Sequence, residues 1–461
     1  MPVNSIKGFG IIADDLTGAM DAGAGFLGIG LHPFIQFGSK SPLDSSVIVI
    51  STDSRDADPE TAYKKVRRQA HQLAGLHVYK KIDSTLRGNI GKELIAVMDA
   101  LRFEKAVVCP AFPANERTVV DGKLMIGSIP INETSFAKDP GYPITEASIP
   151  TLLHKQIGLP VGIIRLEEVS KGPNNVFQKI KNSEQKVIVV DATEEKHLRC
   201  IAQAVSMSAG AWLPCGSGGL ARELPLAFGY RPVAEKPYGS AGLARELPLA
   251  FGYRPVAEKP YGSAGLAKEL PQAFGYKPVA EKPFVLTVST KPVLAVVGSR
   301  NYTSMKQIKT AEMCLSIHVI SIEPDKFVDG EGKLTGLRAL IKEVADFINC
   351  GKSVLITTAL SRYVPALKES SARLLARIVA RTVNRWEMAG LFLTGGDIAR
   401  ETCSALGVTG IKILKELEPG VILGETMGRV RGDIRIITKA GGFGGDKTIV
   451  DAISYLRGGE R

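Results

Sequence analysis

Two adjacent carboxylates, Asp14 and Asp15, follow an apolar, β-branched run in GFGIIADDLTGAMDAG and precede a stretch of small residues. A pair of acids at a strand end suits a hydroxyl-rich ligand or a metal, and either acid could take a proton as a general base. A helix starting there adds free N–H groups and the positive end of its dipole. Capping that helix would use one Asp and leave the other unexplained. A second group lies in YKKIDSTLRGNIGKEL, where Lys81, Asp83, Ser84 and Arg87 end another apolar run. The fork of an Arg is the natural partner of a carboxylate, so an acid substrate would bind well there. A third run, CPAFPANERTVVDGKL, gives a proline-shaped loop and Arg117, suited to a substrate wall.

The C-terminal half carries a different chemistry. Strand-like runs end in VVGSRN with Ser299, in FLTGGDIARE with Gly395, Gly396 and Asp397, and in TKAGGFGGDKT with Lys439 and Gly441. Glycines at such ends let backbone N–H groups approach an anion. GxxxxGK[ST] does not occur and no GxGxxG follows directly on a strand-like run, which removes support for a P-loop or a dinucleotide fingerprint, and with it for a dinucleotide-dependent oxidoreductase. Acid and guanidinium groups in the first half and bare amides in the second suggest a substrate domain followed by a nucleotide domain, with the chemistry in the cleft between them.

These residues need elements to hold them. Apolar runs at 8–13, 46–52, 77–82, 105–111, 162–167, 186–192, 211–216, 292–299, 318–323, 353–359, 390–396 and 434–442 read as strands, and helical patterns such as 59–75 and 370–390 lie between them. Near-continuous apolar strands alternating with helices predict an α/β protein of two domains, with mostly parallel, helix-covered sheets and an inter-domain cleft. A length of 461 residues fits two cores better than one. The expected division is a sugar-acid-binding domain at 1–235, a repeat insertion and linker at 236–290, and a nucleotide-binding domain at 291–461. The insertion follows from three near-identical 23-residue units over 216–284, each reading as a short helix stopped near the Pro of ELP and then an extended tail. Only one copy can fill a given place in the fold. The first, GSGGLA directly after AWLPC, is favoured, and the third is its rival.

Composition narrows the function classes. Six cysteines show no CxxC spacing and read as reduced thiols, and six histidines show no zinc pattern, so a metal site is not identified. The start MPVNSIKGFG lacks a secretory pattern and no apolar run approaches about 18 residues, so a cytoplasmic protein without a membrane span is expected. The net charge of +11 raises nucleic-acid binding, but Lys and Arg are spread along the whole chain, and a basic surface equally suits small anions.

Taken together, IIADDLTGAMDAG, YKKIDSTLRGNIGKEL, CPAFPANERTVVDGKL with INETSFAKDP, GSGGLA, VVGSRNYTSMKQI, FLTGGDIA, ELEPGVILG and TKAGGFGGD resemble, in order, the motifs of the four-carbon acid sugar kinases. The resemblance implies transfer of phosphate from ATP, with Mg²⁺, to the C4 hydroxyl of threonate, erythronate or an oxo-tetronate. The partners would be a sugar acid and ATP, with no nucleic acid or membrane and with a homodimer left open. It assigns ATP contacts to Ser299, to Gly395, Gly396, Asp397 and Ile398, and to Gly441. It assigns the substrate side to Asp14, Asp15, Lys81, Asp83, Ser84 and Arg87. On this reading Arg87, with Lys81 beside it, holds the carboxylate, and Asp14 or Asp15 accepts the hydroxyl proton. TKAGGFG leans toward threonate or erythronate. The sequence departs from the family at Glu116, where Gly is common, at Ile398, where Thr is frequent, and in the triplicated GSGGLA segment. That segment leaves open a family member that binds ATP without turnover.

Overall fold

The chain folds around strands whose side chains are apolar on both faces. The computed structural model describes residues 8–37, 46–138, 143–231, 289–328, 334–428 and 432–458, so the second and third repeat copies lie outside the described residues. Contacts unite the described residues into one compact body that stops at Arg231 and resumes after the repeats.

The N-terminal strands are β1 (Phe9–Ala13), β2 (Pro33–Gln36), β3 (Val47–Ser51), β4 (His77–Lys81), β5 (Lys105–Cys109), β9 (Val161–Ile164), β10 (Val187–Val190) and β11 (Trp212–Gly216). A separate antiparallel sheet holds β6 (Arg117–Val120), β7 (Lys123–Ile126) and β8 (Ile129–Pro130). The C-terminal strands are β12 (Val293–Val297), β13 (His318–Ser321), β14 (Val354–Thr357), β15 (Gly390–Thr394), β16 (Gly410–Glu418), β17 (Val421–Met427) and β18 (Arg435–Lys439). The helices are α1 (Leu16–Ala24), α2 (Pro59–Ala70), α3 (Ile90–Leu101), α4 (Ile149–Ile157), α5 (Leu166–Val169), α6 (Pro173–Asn182), α7 (Glu195–Ser206), α8 (Gly218–Ala227), α9 (Tyr302–Cys314), α10 (Leu337–Asn349), α11 (Lys368–Val383), α12 (Gly396–Ala405) and α13 (Thr448–Leu456). Among the described residues no helix is long and apolar enough to cross a membrane.

Fifteen strands form one sheet in the order β13-β14-β12-β15-β18-β17-β16-β2-β3-β1-β4-β11-β5-β10-β9. It contains two parallel blocks, β13 to β18 and β2 to β9, joined through the antiparallel hairpin β16–β17. Three successive antiparallel pairings separate the blocks, so they run in opposite senses. In each block the strand order reverses beside the first strand laid down, β1 and β12, which is where open α/β sheets bind ligands. Helix α1 is built of small residues and is buried along its whole length. A Cβ at Gly23 would come within 2.5 Å of Ile413 on β16, so the glycine lets the first half seat against the hairpin.

The structure departs from the expected elements in a few places. The run at 162–167 leaves the sheet at Ile164 and turns into α5 at Leu166. β2, the β6–β8 sheet and the β16–β17 hairpin were not foreseen. The hairpin carries charged positions that are exposed at Lys412 and Lys415 and half-buried at Glu416, and two register shifts, which hide its period. Helix α8, in the first repeat copy, continues past Pro225 to Ala227. Pro225 forfeits one intrahelical bond, and the end is held by Phe228 N–H donating to Leu224 (2.9 Å) and Tyr230 N–H to Pro225 (3.0 Å).

The first copy's GSGGLA makes the turn from β11 into α8, where the Ser217 hydroxyl caps the helix. A Cβ on Gly218 would stand 2.2 Å from the buried Asp21 carboxylate. Copies two and three carry Ala241 and Ala264 at the matching position, so neither sequence suits this slot. Gly218→Ala is therefore expected to lower stability by about 1–3 kcal/mol in denaturant titrations, because no copy can then supply the glycine.

Candidate active site

The residues singled out above converge from strand ends in both blocks. A cleft of about 400 Å³ is lined by Asp14, Asp15, Arg87 and Arg117 from the first half and by Ser299, Gly395, Gly396, Asp397, Ile398 and Gly441 from the second. Lys81, Asp83 and Ser84 line a small recess beside it, which shares Asp15, Arg55 and Phe443 with the main cleft. The halves touch here: a Cβ on Gly396 would lie 2.4 Å from Asp15 Oδ2.

Arg55 organises the first wall. It follows β3, and its Nε donates to Asp14 Oδ2 at 2.6 Å while its Nη1 donates to Asp15 Oδ2 at 3.0 Å. Its Nη2 lies 2.8 Å from Asp15 Oδ1 and 3.9 Å from Asp83. Asp15 also caps α1, accepting from Gly18 N–H (2.8 Å), and takes the Thr17 hydroxyl (2.6 Å). Both oxygens of Asp15 are thus engaged, whereas Asp14 Oδ1 is buried with no hydrogen-bond partner among the described residues. Burial alone would raise the Asp14 carboxyl, but Arg55, with Lys80 and Lys81 behind it, holds it below its ordinary value. Arg55 itself is driven upward, since these carboxylates outweigh its desolvation.

Arg87 differs from its expected role as an open carboxylate fork. Its Nε and Nη2 donate to Asp83 at 2.6 and 3.1 Å, a pair four residues apart on one turn. Asp83 is held well below the usual carboxylate range, its desolvation overcome by Arg87 and then Arg55. Lys81 donates to the carbonyl of Ile82 (3.0 Å), and the neighbouring Lys80 forms a fully buried pair with Glu93 (2.7 Å). Arg117 opens β6 with its guanidinium centred 4.6 Å from the Phe443 ring. The loops carry backbone strain: Leu86 and Glu116 adopt φ values of 64° and 57°. The left-handed conformation at Glu116 is a physical reason for glycine to be common there.

Across the cleft the backbone is turned outward. Gly395, at φ 103°, needs to be glycine and leads into α12, whose first-turn N–H groups have no intrahelical acceptor. In the loop after β18, Ser304 donates to the Gly441 carbonyl (2.8 Å) and Gln307 to those of Phe443 (3.1 Å) and Gly445 (2.8 Å). Lys439 Nζ reaches the carbonyls of Ala440 and Gly441, both at 3.1 Å. Burial pushes the Lys439 ammonium down to about 7, with Glu418 opposing. Carbonyls tied back in this way leave the amides of Gly441 and Gly442 free to meet an anion. Ile398 contributes no hydroxyl; it seats against Gly298, where a Cβ would meet it at 2.6 Å.

Sequence reasoning missed Arg55, Asp53, Lys368 and Arg400. Lys368 pairs with Asp56 at 2.6 Å and Arg400 with Asp53 at 2.8 Å, two ion pairs that cross the cleft. The strand-end position of STDSRDAD was the available signal. Among the described residues no cluster of three or more His, Cys, Asp or Glu side chains could hold a metal ion. The six cysteines form no disulfide, and four of them are buried.

Residues 9–224 match a family described as sugar-binding N-terminal domain, and residues 294–449 one described as nucleotide-binding C-terminal domain. The chain is 30% identical to a D-threonate kinase of Salmonella typhimurium over 97% of each chain. It is 28% identical to a D-erythronate kinase of Heliobacterium modesticaldum over 97% of this chain and 96% of that one. A 3-oxo-tetronate kinase of Burkholderia multivorans is 29% identical over 49% of this chain and 55% of its own. The fold is shared with Haemophilus influenzae protein HI1011 at TM-score 0.62 and 22% identity, covering 97% of this chain and 99% of that one. Sugar-binding and nucleotide-binding halves that meet at one cleft define a small-molecule phosphotransferase. The chain belongs to the four-carbon acid sugar kinase family.

The Arg55 knot has a measurable pH signature. Asp14 and Asp83 sit below the ordinary carboxylate value of 3.8, so the stability they contribute is present above that value and is lost as pH falls through their lowered values. Arg55→Met is expected to cost about 3–5 kcal/mol at pH 7. Thermal melts from pH 7 downward should show the gap to wild type narrowing below about pH 4.

Proposed function

We propose that this chain transfers the γ-phosphoryl group of ATP to the C4 hydroxyl of a four-carbon sugar acid, D-threonate or D-erythronate in preference to a 3-oxo-tetronate. The observation that carries this reading is a single cleft with the paired carboxylates of Asp14 and Asp15 on one wall and glycine-borne backbone amides on the other. The relatives matched along nearly their whole length act on threonate or erythronate by name, which supports the preference.

On this reading the sugar acid lies against the ends of β1 and β4. Asp14 is the proton acceptor, because its Oδ1 is unengaged and it is ionised at neutral pH. Asp15 is a positioning residue, since its oxygens already hold α1, Thr17 and Arg55. The phosphates lie on the amides of Gly441, Gly442 and the first turn of α12, with Ser299 beside them. Phosphoryl transfer asks mainly for alignment and charge neutralisation, so a weak base suffices. Mg²⁺ commonly binds through one or two carboxylates plus substrate phosphates, and Asp397 on the cleft wall is the donor that would complete such a set. When bound, the ion supplies charge neutralisation at the phosphates. A domain division near residues 235 and 290 fits this assignment.

A coupled assay of ADP release across the tetronate stereoisomers and their 3-oxo forms tests the substrate; turnover of none would sink the proposal. Asp14→Asn is expected to lower kcat by about 10²–10⁴-fold with little change in the KM for ATP. Gly441→Val, whose side chain would meet Ser299 Oγ at 2.0 Å from its first carbon, should instead raise the KM for ATP. The opposite split between the two variants would reverse the roles of the halves.

A further inference from the structure

Among the described residues, a buried cation in the cleft is left without an acid partner. Arg117 is only 4% exposed, and its Nε and Nη1 have no hydrogen-bond acceptor among the described residues. The other guanidiniums that line the cleft from the same half are neutralised within the protein: Arg55 by Asp14 and Asp15, and Arg87 by Asp83. Asp83 is the acid with the strongest pull on Arg117, yet it is already committed to Arg87 and Thr85. Burial drives the Arg117 guanidinium down to about 10, the mark of a charge that lacks its counter-ion. A buried cation with unmet donors costs several kcal/mol, so its retention calls for an anion that the protein itself does not provide.

The surroundings say which anion. The Phe443 ring covers one face of the guanidinium and Phe136 lines the cleft nearby, and the unmet Nε and Nη1 donors point along the plane, so a ligand that satisfies them meets the edge. An edge-on approach suits a planar carboxylate, which meets the donor fork in the same plane. Arg117 borders the glycine loop, its Nη2 3.8 Å from where a Cβ on Gly442 would lie, but on the proposed function the phosphates are met there by the amides of Gly441, Gly442 and α12. Resting on the kinase function proposed above, we infer that Arg117 recognises the carboxylate of the sugar acid and is the residue that selects acid sugars over neutral tetritols. Arg87, the residue the sequence favoured for this task, acts by orienting Asp83 beside it.

The full-length protein tests this directly. Arg117→Gln and Arg117→Met are compared with wild type on D-threonate, D-erythronate and threitol, which lacks the carboxylate. A site built to pair a buried polar group rejects an analogue lacking the partner, so the ratio of kcat/KM for acid over tetritol is expected to fall by about 100-fold or more in both variants. The KM for ATP should stay within about threefold, since the phosphates have separate receptors. A tetronate added without ATP should raise the melting temperature of wild type and not of either variant. Ligand-free Arg117→Met should melt no lower than wild type, because it exchanges an uncompensated buried charge for an apolar chain; this separates lost recognition from lost folding. Retained acid selectivity in both variants, or a raised KM for ATP with equal losses on acid and tetritol, overturns the inference while leaving the kinase function standing. A wild-type protein neither turning over nor stabilised by any tetronate overturns both.

Discussion

The site depends on one buried arrangement of charge. Arg55 binds Asp14 and Asp15 and lies beside Asp83, so three carboxylates delivered by two strand ends share one guanidinium. Water could not hold these acids together, because like charges at such spacing repel and their ionised forms lose solvation on burial. A single Arg removes both difficulties and fixes the positions of the loops after β1, β3 and β4 relative to one another. Asp15 then carries the order further, since it starts α1 and touches Gly396 across the cleft. The second wall obeys the opposite rule. There the side chains of Ser304, Gln307 and Lys439 restrain carbonyls, and the binding groups are the backbone amides that remain.

Much of the fold was legible because parallel strands covered on both faces must be apolar throughout. β1, β12 and β15 are buried at every position, and each of these runs stood out in the sequence. The β16–β17 hairpin did not, because its partly exposed edge mixes Lys and Glu with apolar residues and its register shifts break the alternation. Its discovery changes the architecture from two separate sheets to one sheet with a reversal in it.

The site was legible at strand ends that carry unusual residues and poorly legible where charges look like surface. Arg55 sits in STDSRDAD, a stretch indistinguishable by composition from a solvated loop, yet it is the centre of the first wall. Arg87 was conspicuous, but its task depends on Asp83 four residues earlier, and that competition could have been read from the spacing. Arg117 was recognised only as part of a wall, since burial without a partner cannot be seen in a sequence. Glu116 illustrates the reverse: a departure from the family's glycine that the chain accommodates through a strained backbone.

The antiparallel ladder of Gly410–Lys412 with Phe34–Gln36 stitches the two walls into continuous fabric. A body made this way has no free hinge at that seam. Any opening of the cleft there has to bend the ribbon, the way a bent card opens at its far edge while its crease holds. The ion pairs Asp53–Arg400 and Asp56–Lys368 act as press-studs between the leaves, and dissolved salt competes for them. Ionic strength thereby becomes a lever on how firmly the two leaves are held together, acting at a distance from the carboxylates at the strand ends.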